Sequence, residues 1–110
     1  MPNRGDLLLV PFPFTDLTAN KRRPVLVLTA TDGFGDFIAL PVTSRPQAAN
    51  SVPLAQSDLT AGSLPTASWV RTNRIVTLNA SLVVKAIGHV SDGVVDTAIK
   101  QFCAYLGFTR

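Results

Sequence analysis

An arginine stands directly before a proline at the start of an apolar run, and this pairing is the clearest candidate for chemistry in the chain. Arg23 precedes Pro24, and the aliphatic residues 25–28 follow. Because proline disfavours the helical conformation of the residue before it, Arg23 is expected to be extended, at the start of a strand. A guanidinium group held there presents its donors in a fixed plane, which suits phosphate recognition. Lys21 and Arg22 add two cations at the same place.

Other common catalytic arrangements are absent from the sequence. One histidine, His89, and one cysteine, Cys103, cannot form a structural zinc site, and the aspartates are scattered rather than clustered as a magnesium site would require. Neither a Gly-rich phosphate loop nor a G-x-S-x-G nucleophile motif occurs. His89 is interpreted as structural. The candidates for catalysis that remain are arginine, hydroxyl and amide side chains. Such side chains can promote the cleavage of RNA, because they can orient the 2′-hydroxyl group of the RNA and stabilise the charged transition state.

The length and composition indicate a single domain over residues 1–110. Apolar residues make up 46% and the mean hydropathy is +0.28, which is high for so small a domain. The excess apolar surface is expected to be buried in a homodimer interface. No stretch approaches the roughly 20 apolar residues of a membrane span, and Asp6 and Pro11 interrupt any signal-peptide segment. The lone cysteine favours a cytoplasmic location.

The charge balance favours a nucleic-acid partner. Ten lysines and arginines oppose seven acids, which gives a net charge of +3 and a sequence pI of about 9.6. Seven of the ten cations are arginine, the residue that forms bidentate contacts with phosphate, and every acid is an aspartate. The alternative is a generic basic domain, because the net charge is modest.

The apolar pattern predicts short strands followed by one helix. Strands are predicted over residues 6–12, 23–29, 37–42, 52–54, 67–78 (as one or two strands) and 82–90. Residues 15–22 and 45–66 are predicted as loops, the second containing the short strand at 52–54. Ser91 suits a helix N-cap, apolar residues then recur at helical spacing, and Gly107 suits the helix end. A small, mainly β barrel with a C-terminal helix follows, although spacing alone does not separate an SH3-like barrel from an OB-fold.

Several motifs occur in an order that resembles the PemK/MazF-type toxins of type II toxin–antitoxin systems. They are Gly5-Asp6 with its aliphatic run, Pro-Phe-Pro-Phe-Thr-Asp-Leu at 11–17, Lys-Arg-Arg-Pro at 21–24, Leu-Pro-Val-Thr-Ser at 40–44, Ser-Trp-Val-Arg-Thr-Asn-Arg at 68–74 and Ile-Gly-His-Val-Ser-Asp at 87–92. The resemblance covers nearly the whole chain. It implies a mainly β, SH3-like barrel of the PemK/CcdB type with a C-terminal α-helix. It also implies a metal-independent endoribonuclease that needs no cofactor.

The resemblance implies roles for individual residues as well. Arg23 and Thr43 match the catalytic pair of the family, which implies cleavage of single-stranded RNA by 2′-hydroxyl transesterification to a 2′,3′-cyclic phosphate and a 5′-hydroxyl. The residues expected to bind RNA are Lys21, Arg22, Ser44, Arg45, Arg71, Asn73 and Arg74. Trp69 could stack on a base, but a lone tryptophan in an apolar stretch is more often a core or interface residue.

One position departs from the family pattern. Some relatives carry an aspartate two residues after the arginine that matches Arg71, and this chain has Asn73 there, which cannot take a proton. Two alternatives to an active nuclease stay open. One is a CcdB-like toxin that acts by binding a protein, for which residues 105–110 would matter more than Arg23. The other is an inactive relative that binds only an antitoxin, the separate, acidic and partly disordered protein that the family implies as partner.

Overall fold

The computed structural model describes residues 2–11 and 22–108, and these residues form eight β-strands, two short 3-10 helices and one α-helix. The strands are β1 (Asp6–Pro11), β2 (Arg22–Val27), β3 (Asp36–Thr43), β4 (Ser51–Leu54), β5 (Leu59–Gly62), β6 (Ser68–Arg71), β7 (Val76–Asn79) and β8 (Lys85–Val90). The 3-10 helices are Gln56–Asp58 and Ala80–Leu82, and the α-helix, α1, is Asp92–Tyr105.

The strands pair antiparallel in one curled sheet. Their order is β4-β6-β3-β2-β1-β8-β5, and β7 pairs with the first half of β3. The long strand β3 is central, because its last two residues pair with β6 and its other edge pairs with β2. This architecture, with its C-terminal helix, confirms the mainly β fold that the sequence predicts.

Side chains alternate between the two faces of the sheet, and each face carries an apolar cluster. The helix-side cluster lies between the sheet and α1, and its buried members are Leu7, Leu26, Leu28, Leu40, Val42, Val52, Leu54, Val70, Val90, Val94, Val95 and Ala98. The opposite cluster comprises Leu8, Val10, Val25, Val27, Phe37, Ala39 and Leu78. Consecutive residues such as Leu7 and Leu8 enter different clusters, which explains why the strands are continuous aliphatic runs in the sequence.

Helix α1 begins and ends near the predicted residues. Ser91 is extended at the N-cap position, and its carbonyl accepts the amide of Val94, whereas its hydroxyl group makes no capping hydrogen bond. After the helix the chain passes through Gly107, whose φ of +87° is a conformation that glycine adopts readily. Among the helices of residues 2–11 and 22–108, none has the length and apolar character of a membrane span.

The structure contains more strands than the sequence predicts. The additional strand is β5, which lies inside the predicted 45–66 loop, whereas β6 and β7 are the two strands that the prediction for residues 67–78 allows. β5 has no apolar run, and it pairs with β8 at Gly62, where a Cβ atom would lie 2.1 Å from the carbonyl oxygen of Ile87. This strand therefore depends on close backbone approach, which hydrophobic periodicity does not report.

Three predicted boundaries also change. Residues 80–82 form a 3-10 helix, so the strand predicted at 82–90 begins only at Lys85. The side chain of Asn79 caps this helix by accepting a hydrogen bond from the amide of Ser81 at 3.0 Å. Arg22, predicted in a loop, is the first residue of β2, and β2 ends at Val27. The remainder of the predicted 15–22 loop lies outside the described residues, as does Phe12.

Candidate active site

Arg23 and Thr43 lie on neighbouring strands at the same end of the sheet. β2 and β3 pair with Val25 opposite Pro41, and Arg23 and Thr43 each lie two residues beyond that pair. The pairing of the two strands ends at Val25 and Pro41, and Arg23 and Thr43 follow at that end of the sheet, Arg23 beside β1 and Thr43 beside β6. The structure thus brings together the two residues of the predicted catalytic pair.

Arg23 projects from the face of the sheet that α1 does not cover. It pairs with Val10 of β1 and alternates with Val25, and both of these valines belong to the opposite cluster. The Nε atom of Arg23 is buried and has no hydrogen-bond partner among the described residues. A buried donor without an acceptor is costly, and an anion bound at this position would supply the acceptor.

The chain that follows Thr43 orients its hydroxyl group. Thr43 Oγ1 accepts a hydrogen bond from the backbone amide of Arg45, with 3.1 Å between nitrogen and oxygen. The carbonyl of Arg45 in turn accepts from the side-chain amide of Gln47 at 3.1 Å. Because Thr43 Oγ1 is the acceptor in this turn, its hydrogen remains available for donation to an oxyanion. Ser44 and Arg45, both predicted to bind RNA, are exposed beside it.

Trp69 and Arg71 extend the same face across β6. Trp69 lies opposite Thr43 in the pairing of β6 with β3. Val70, between Trp69 and Arg71, enters the helix-side cluster, so its two neighbours face away from α1. The residues on this face, which we name the arginine strip, are Arg23, Thr43, Trp69 and Arg71.

Positive charge is concentrated at the β6 end of the strip. Burial, and next the charge of Arg74, lower the pKa of Arg71 below its ordinary value. Neither group forms an ion pair with a described residue, and the same holds for Arg22, Arg23 and Arg45. Arginines without acidic partners are available to bind an anionic ligand.

A buried hydrogen bond holds the turn that follows Arg71. Thr72 is fully buried, and its Oγ1 donates to Oε1 of Gln101 on α1 at 2.9 Å. Its backbone amide donates to the carbonyl of Asn50 at 3.0 Å. Sequence reasoning missed Gln101, because a polar helix residue carries no signal of the distant turn that it contacts.

The other predicted RNA-binding residues take different positions. Arg22 is exposed and, by the alternation of β2, projects from the face opposite to Arg23. Asn73 is half-buried in the turn after β6, and Arg74 is exposed. Lys21, also predicted to bind RNA, lies outside the described part of the chain.

His89, interpreted from the sequence as structural, lies on β8. Its Nδ1 atom is 2.9 Å from Oδ1 of Asp6, which faces it in the pairing of β8 with β1. Since β1 separates β8 from β2, this histidine is on a different part of the sheet from Arg23. Within residues 2–11 and 22–108, no group of three histidine, cysteine or acidic side chains is placed to hold a metal ion.

Comparison with known protein families identifies the chain. Residues 3–106 match the family described as the PemK-like, MazF-like toxin of type II toxin–antitoxin systems. The chain belongs to this toxin family. The resemblance that the ordered motifs indicate is thereby confirmed, and with it the role of toxin component in a two-protein system.

Solved structures share the fold of this toxin. A MazE–MazF complex from Deinococcus radiodurans is 24% identical, with a TM-score of 0.78 and 98% of each chain covered. An endoribonuclease in complex with its cognate antitoxin from a mycobacterial species is 18% identical, with a TM-score of 0.76, and the match covers 100% of this chain and 99% of that one. The Mycobacterium tuberculosis toxin MazF-mt6 is 16% identical, with a TM-score of 0.74 and coverage of 96% and 99%. The comparison with curated proteins found no match.

Proposed function

We propose that this toxin is an endoribonuclease that cleaves single-stranded RNA without a metal ion, and that Arg23 and Thr43 act on the scissile phosphate. The observation that carries the proposal is the position of these two side chains on one face of neighbouring strands, beside arginines that have no acidic partner among the described residues. Family membership supports it, since solved structures with this fold include proteins described as endoribonucleases.

The proposed reaction is a transesterification within the RNA strand. The 2′-oxygen attacks the adjacent phosphorus, and the bond from phosphorus to the 5′-oxygen of the next nucleotide breaks. The 2′-hydroxyl loses its proton and the leaving 5′-oxygen gains one, which yields a 2′,3′-cyclic phosphate and a 5′-hydroxyl. The protein contributes by aligning the attacking and leaving oxygens and by stabilising the charge on the non-bridging oxygens.

Arg23 is suited to the electrostatic part of this reaction. A guanidinium group stays charged at physiological pH, so Arg23 acts as a hydrogen-bond donor to the phosphate rather than as a proton source. A bound phosphate oxygen gives its buried Nε the acceptor that the described residues do not provide. Thr43 donates its remaining hydroxyl hydrogen to the same phosphate, with the oxygen held by the amide of Arg45.

Further cations and amides continue the RNA site from this pair. Ser44 and Arg45 follow Thr43 directly, and the turn after β6 carries Asn73 and Arg74 next to Arg71. The arginines contact backbone phosphates, which are the source of most of the affinity of such sites. Lys21 and Arg22 add positive charge at the start of β2 and attract the RNA over a longer distance.

The toxin acts in the cytoplasm as a homodimer and is silenced by a separate antitoxin. The family description and the toxin–antitoxin complexes among the similar structures support an antitoxin partner. Because Arg23, Arg45, Arg71 and Arg74 lack acidic partners among the described residues, an acidic segment of the antitoxin is the expected ligand of this surface. Such a segment competes with RNA for the same charges.

Replacement of Arg23 tests the proposed chemistry. Purified protein is incubated with a long single-stranded RNA in EDTA, and the 5′ ends of the fragments are mapped. The wild-type protein should give discrete cuts with 5′-hydroxyl ends. Arg23→Ala should cut about 10²- to 10³-fold more slowly, which is the loss typical of removing one donor to a transition-state oxyanion.

Arg22→Ala is the matched control, because it removes the same charge from the adjacent residue on the other face of β2. It should slow cleavage only several-fold, through weaker attraction of RNA. Equal rates for wild type and Arg23→Ala would contradict the proposal. Intact RNA after incubation with folded wild-type protein would instead favour a protein target.

A further inference from the structure

Trp69 lies at the centre of the arginine strip. It faces Thr43 in the pairing of β6 with β3, and it faces Pro53 in the pairing of β6 with β4. Arg71 is two residues further along β6, so its side chain projects from the same face. Trp69 is therefore the cross-strand neighbour of Thr43, whose hydroxyl group is proposed to contact the scissile phosphate.

The indole ring of Trp69 is not part of the folding core. Trp69 is half-buried and belongs to neither apolar cluster. Its neighbours Ser68 and Val70 are the buried residues of β6. No described residue accepts a hydrogen bond from the indole N–H, whereas a buried tryptophan usually finds an acceptor. Of the two structural interpretations that the sequence suggests, core and interface, the first is therefore wrong.

A flat aromatic ring between phosphate donors fits a nucleotide. Bases of single-stranded RNA stack on accessible aromatic side chains, and each base is flanked by phosphates that need donors. Thr43, across from Trp69 on β3, and Arg71, two residues along β6, supply such donors next to the ring. We propose that Trp69 stacks on the nucleobase next to the scissile phosphate and thereby sets the position of the RNA strand in the active site. The inference rests on the proposed RNA cleavage.

The neighbours of Trp69 suit this role. Pro53 lies on β4, which is the edge strand of the sheet on this side. An RNA strand can therefore reach Trp69 across that edge. A tryptophan side chain has few rotamers, so it loses little conformational entropy when a ligand binds to it. Stacking accepts any base, so the ring determines where a base sits, while the unpaired indole N–H can favour a base that presents an acceptor.

Cleavage by Trp69 variants tests the stacking contact. Trp69→Leu keeps an apolar side chain without an aromatic face, and Trp69→Phe keeps the face. Trp69→Leu should lower kcat/KM for RNA by roughly 5- to 150-fold, the range of base–aromatic stacking. Trp69→Phe should recover most of this loss. Phe34→Leu is the control, because Phe34 is an exposed aromatic residue (87%) near the other end of β3.

An oligonucleotide series locates the base. In a short RNA substrate, the nucleotide on either side of the cut is replaced in turn by an abasic one. Removing the stacked base should slow the wild-type protein as much as Trp69→Leu does, and it should not slow Trp69→Leu further. This loss of additivity distinguishes a direct contact from a general weakening of the active site.

Fluorescence provides a readout that does not depend on cleavage. Trp69 is the one tryptophan of the chain, so the intrinsic tryptophan emission reports on this ring alone. A 2′-O-methyl oligonucleotide, which lacks the attacking hydroxyl group, should quench the emission on binding. The same oligonucleotide with the abasic replacement should quench much less.

The outcomes separate this inference from the proposed function. RNA cleavage with wild-type rates and cut sites in Trp69→Leu would overturn stacking and leave the nuclease intact. Cleavage without any change in emission on oligonucleotide binding would overturn it as well. Quenching without cleavage by the wild-type protein would support the base site and count against the nuclease. Neither quenching nor cleavage would overturn both.

Discussion

At the scale of single residues, the proposed active site contains arginines that have no acidic partner among the described residues. Arg4 forms an ion pair with Asp96, whereas Arg23 has a buried Nε without a hydrogen-bond partner among the described residues. The charged form of Arg71 destabilises the folded protein, because burial and the charge of Arg74 lower its pKa. Such costs are typical of binding sites, where a charge that destabilises the free protein is stabilised by the ligand.

The lowered pKa of Arg71 predicts a trade-off between stability and RNA binding. A basic group whose pKa is lower in the folded than in the unfolded state destabilises the fold at every pH below its folded-state pKa. This destabilisation disappears only as the pH rises through the folded-state pKa. At neutral pH the whole cost is present, so Arg71→Gln should raise the melting temperature slightly. RNA affinity should fall, and the slope of log K against log salt should lose about 0.7, the value for one phosphate contact.

Arg4→Gln is the control for this experiment. It removes the same charge, but the guanidinium of Arg4 is paired with Asp96 and partly exposed. The melting temperature should therefore stay equal or fall slightly, with little change in the salt dependence of RNA binding. A lower melting temperature for Arg71→Gln, with unchanged RNA binding, would show that Arg71 is a structural residue.

At the scale of elements, helix α1 holds the turn between β6 and β7. The buried hydroxyl group of Thr72 donates to Gln101 of α1, and the residues on either side of Thr72 are Arg71 and Asn73. The helix thus fixes the end of the arginine strip, although it lies on the other face of the sheet. We expect Gln101 to be a positioning residue for RNA binding rather than a ligand of RNA.

Thr72→Val tests this coupling. Valine keeps the shape of threonine but leaves the side-chain carbonyl of Gln101 without its donor, which costs about 1–3 kcal/mol of folding free energy. The KM for RNA should rise several-fold because Arg71 is less well placed, whereas kcat, which we propose depends on Arg23 and Thr43, should change little. Thermal unfolding and steady-state cleavage kinetics provide the two measurements.

Two further variants control for general destabilisation. Thr77→Val replaces an exposed threonine of β7 and should change neither stability nor KM by much. The double variant Thr72→Val/Gln101→Leu removes both partners of the hydrogen bond, so it should recover part of the lost stability. An unchanged KM in Thr72→Val, despite a lower melting temperature, would rule out the positioning role.

At the scale of the whole molecule, the protein leaves large apolar side chains in contact with solvent. Among residues 2–11 and 22–108, those more than 40% exposed are Phe34, Ile75, Leu82, Tyr105, Leu106 and Phe108. Three of them follow one another around the end of α1 and the turn after it. A surface of this kind favours association, which agrees with the homodimer that the composition predicts.

Sedimentation velocity checks the oligomeric state. Across micromolar concentrations the main species should have the mass of a dimer of the 11.7 kDa chain. The melting temperature should rise with protein concentration, because association stabilises the folded state by mass action. A monomer at every concentration, with a constant melting temperature, would exclude the homodimer.

The sequence by itself determined the family, the mainly β fold and the two residues of the proposed catalytic pair. The family and the proposed catalytic pair come from the ordered motifs that resemble PemK/MazF toxins. The strands and the helix depend on local signals: a proline that sets the backbone of Arg23, aliphatic runs that form strands, and helical spacing after Ser91. The alternation in β6 also separated Trp69 and Arg71 from Val70, because side chains in a strand alternate whatever lies on each side.

Only the tertiary structure decided which of these residues meet. The pairing of β2 with β3 puts Arg23 and Thr43 at the same end of neighbouring strands, and the pairing of β6 with β3 places Trp69 beside Thr43. The contact between Thr72 and Gln101 joins segments that are distant in the chain, and β5 depends on the close backbone approach at Gly62. Such pairings depend on the packing of the whole sheet against α1. A single sequence indicates whether each segment tends to form a strand or a helix, but it does not indicate which other segment that segment pairs with.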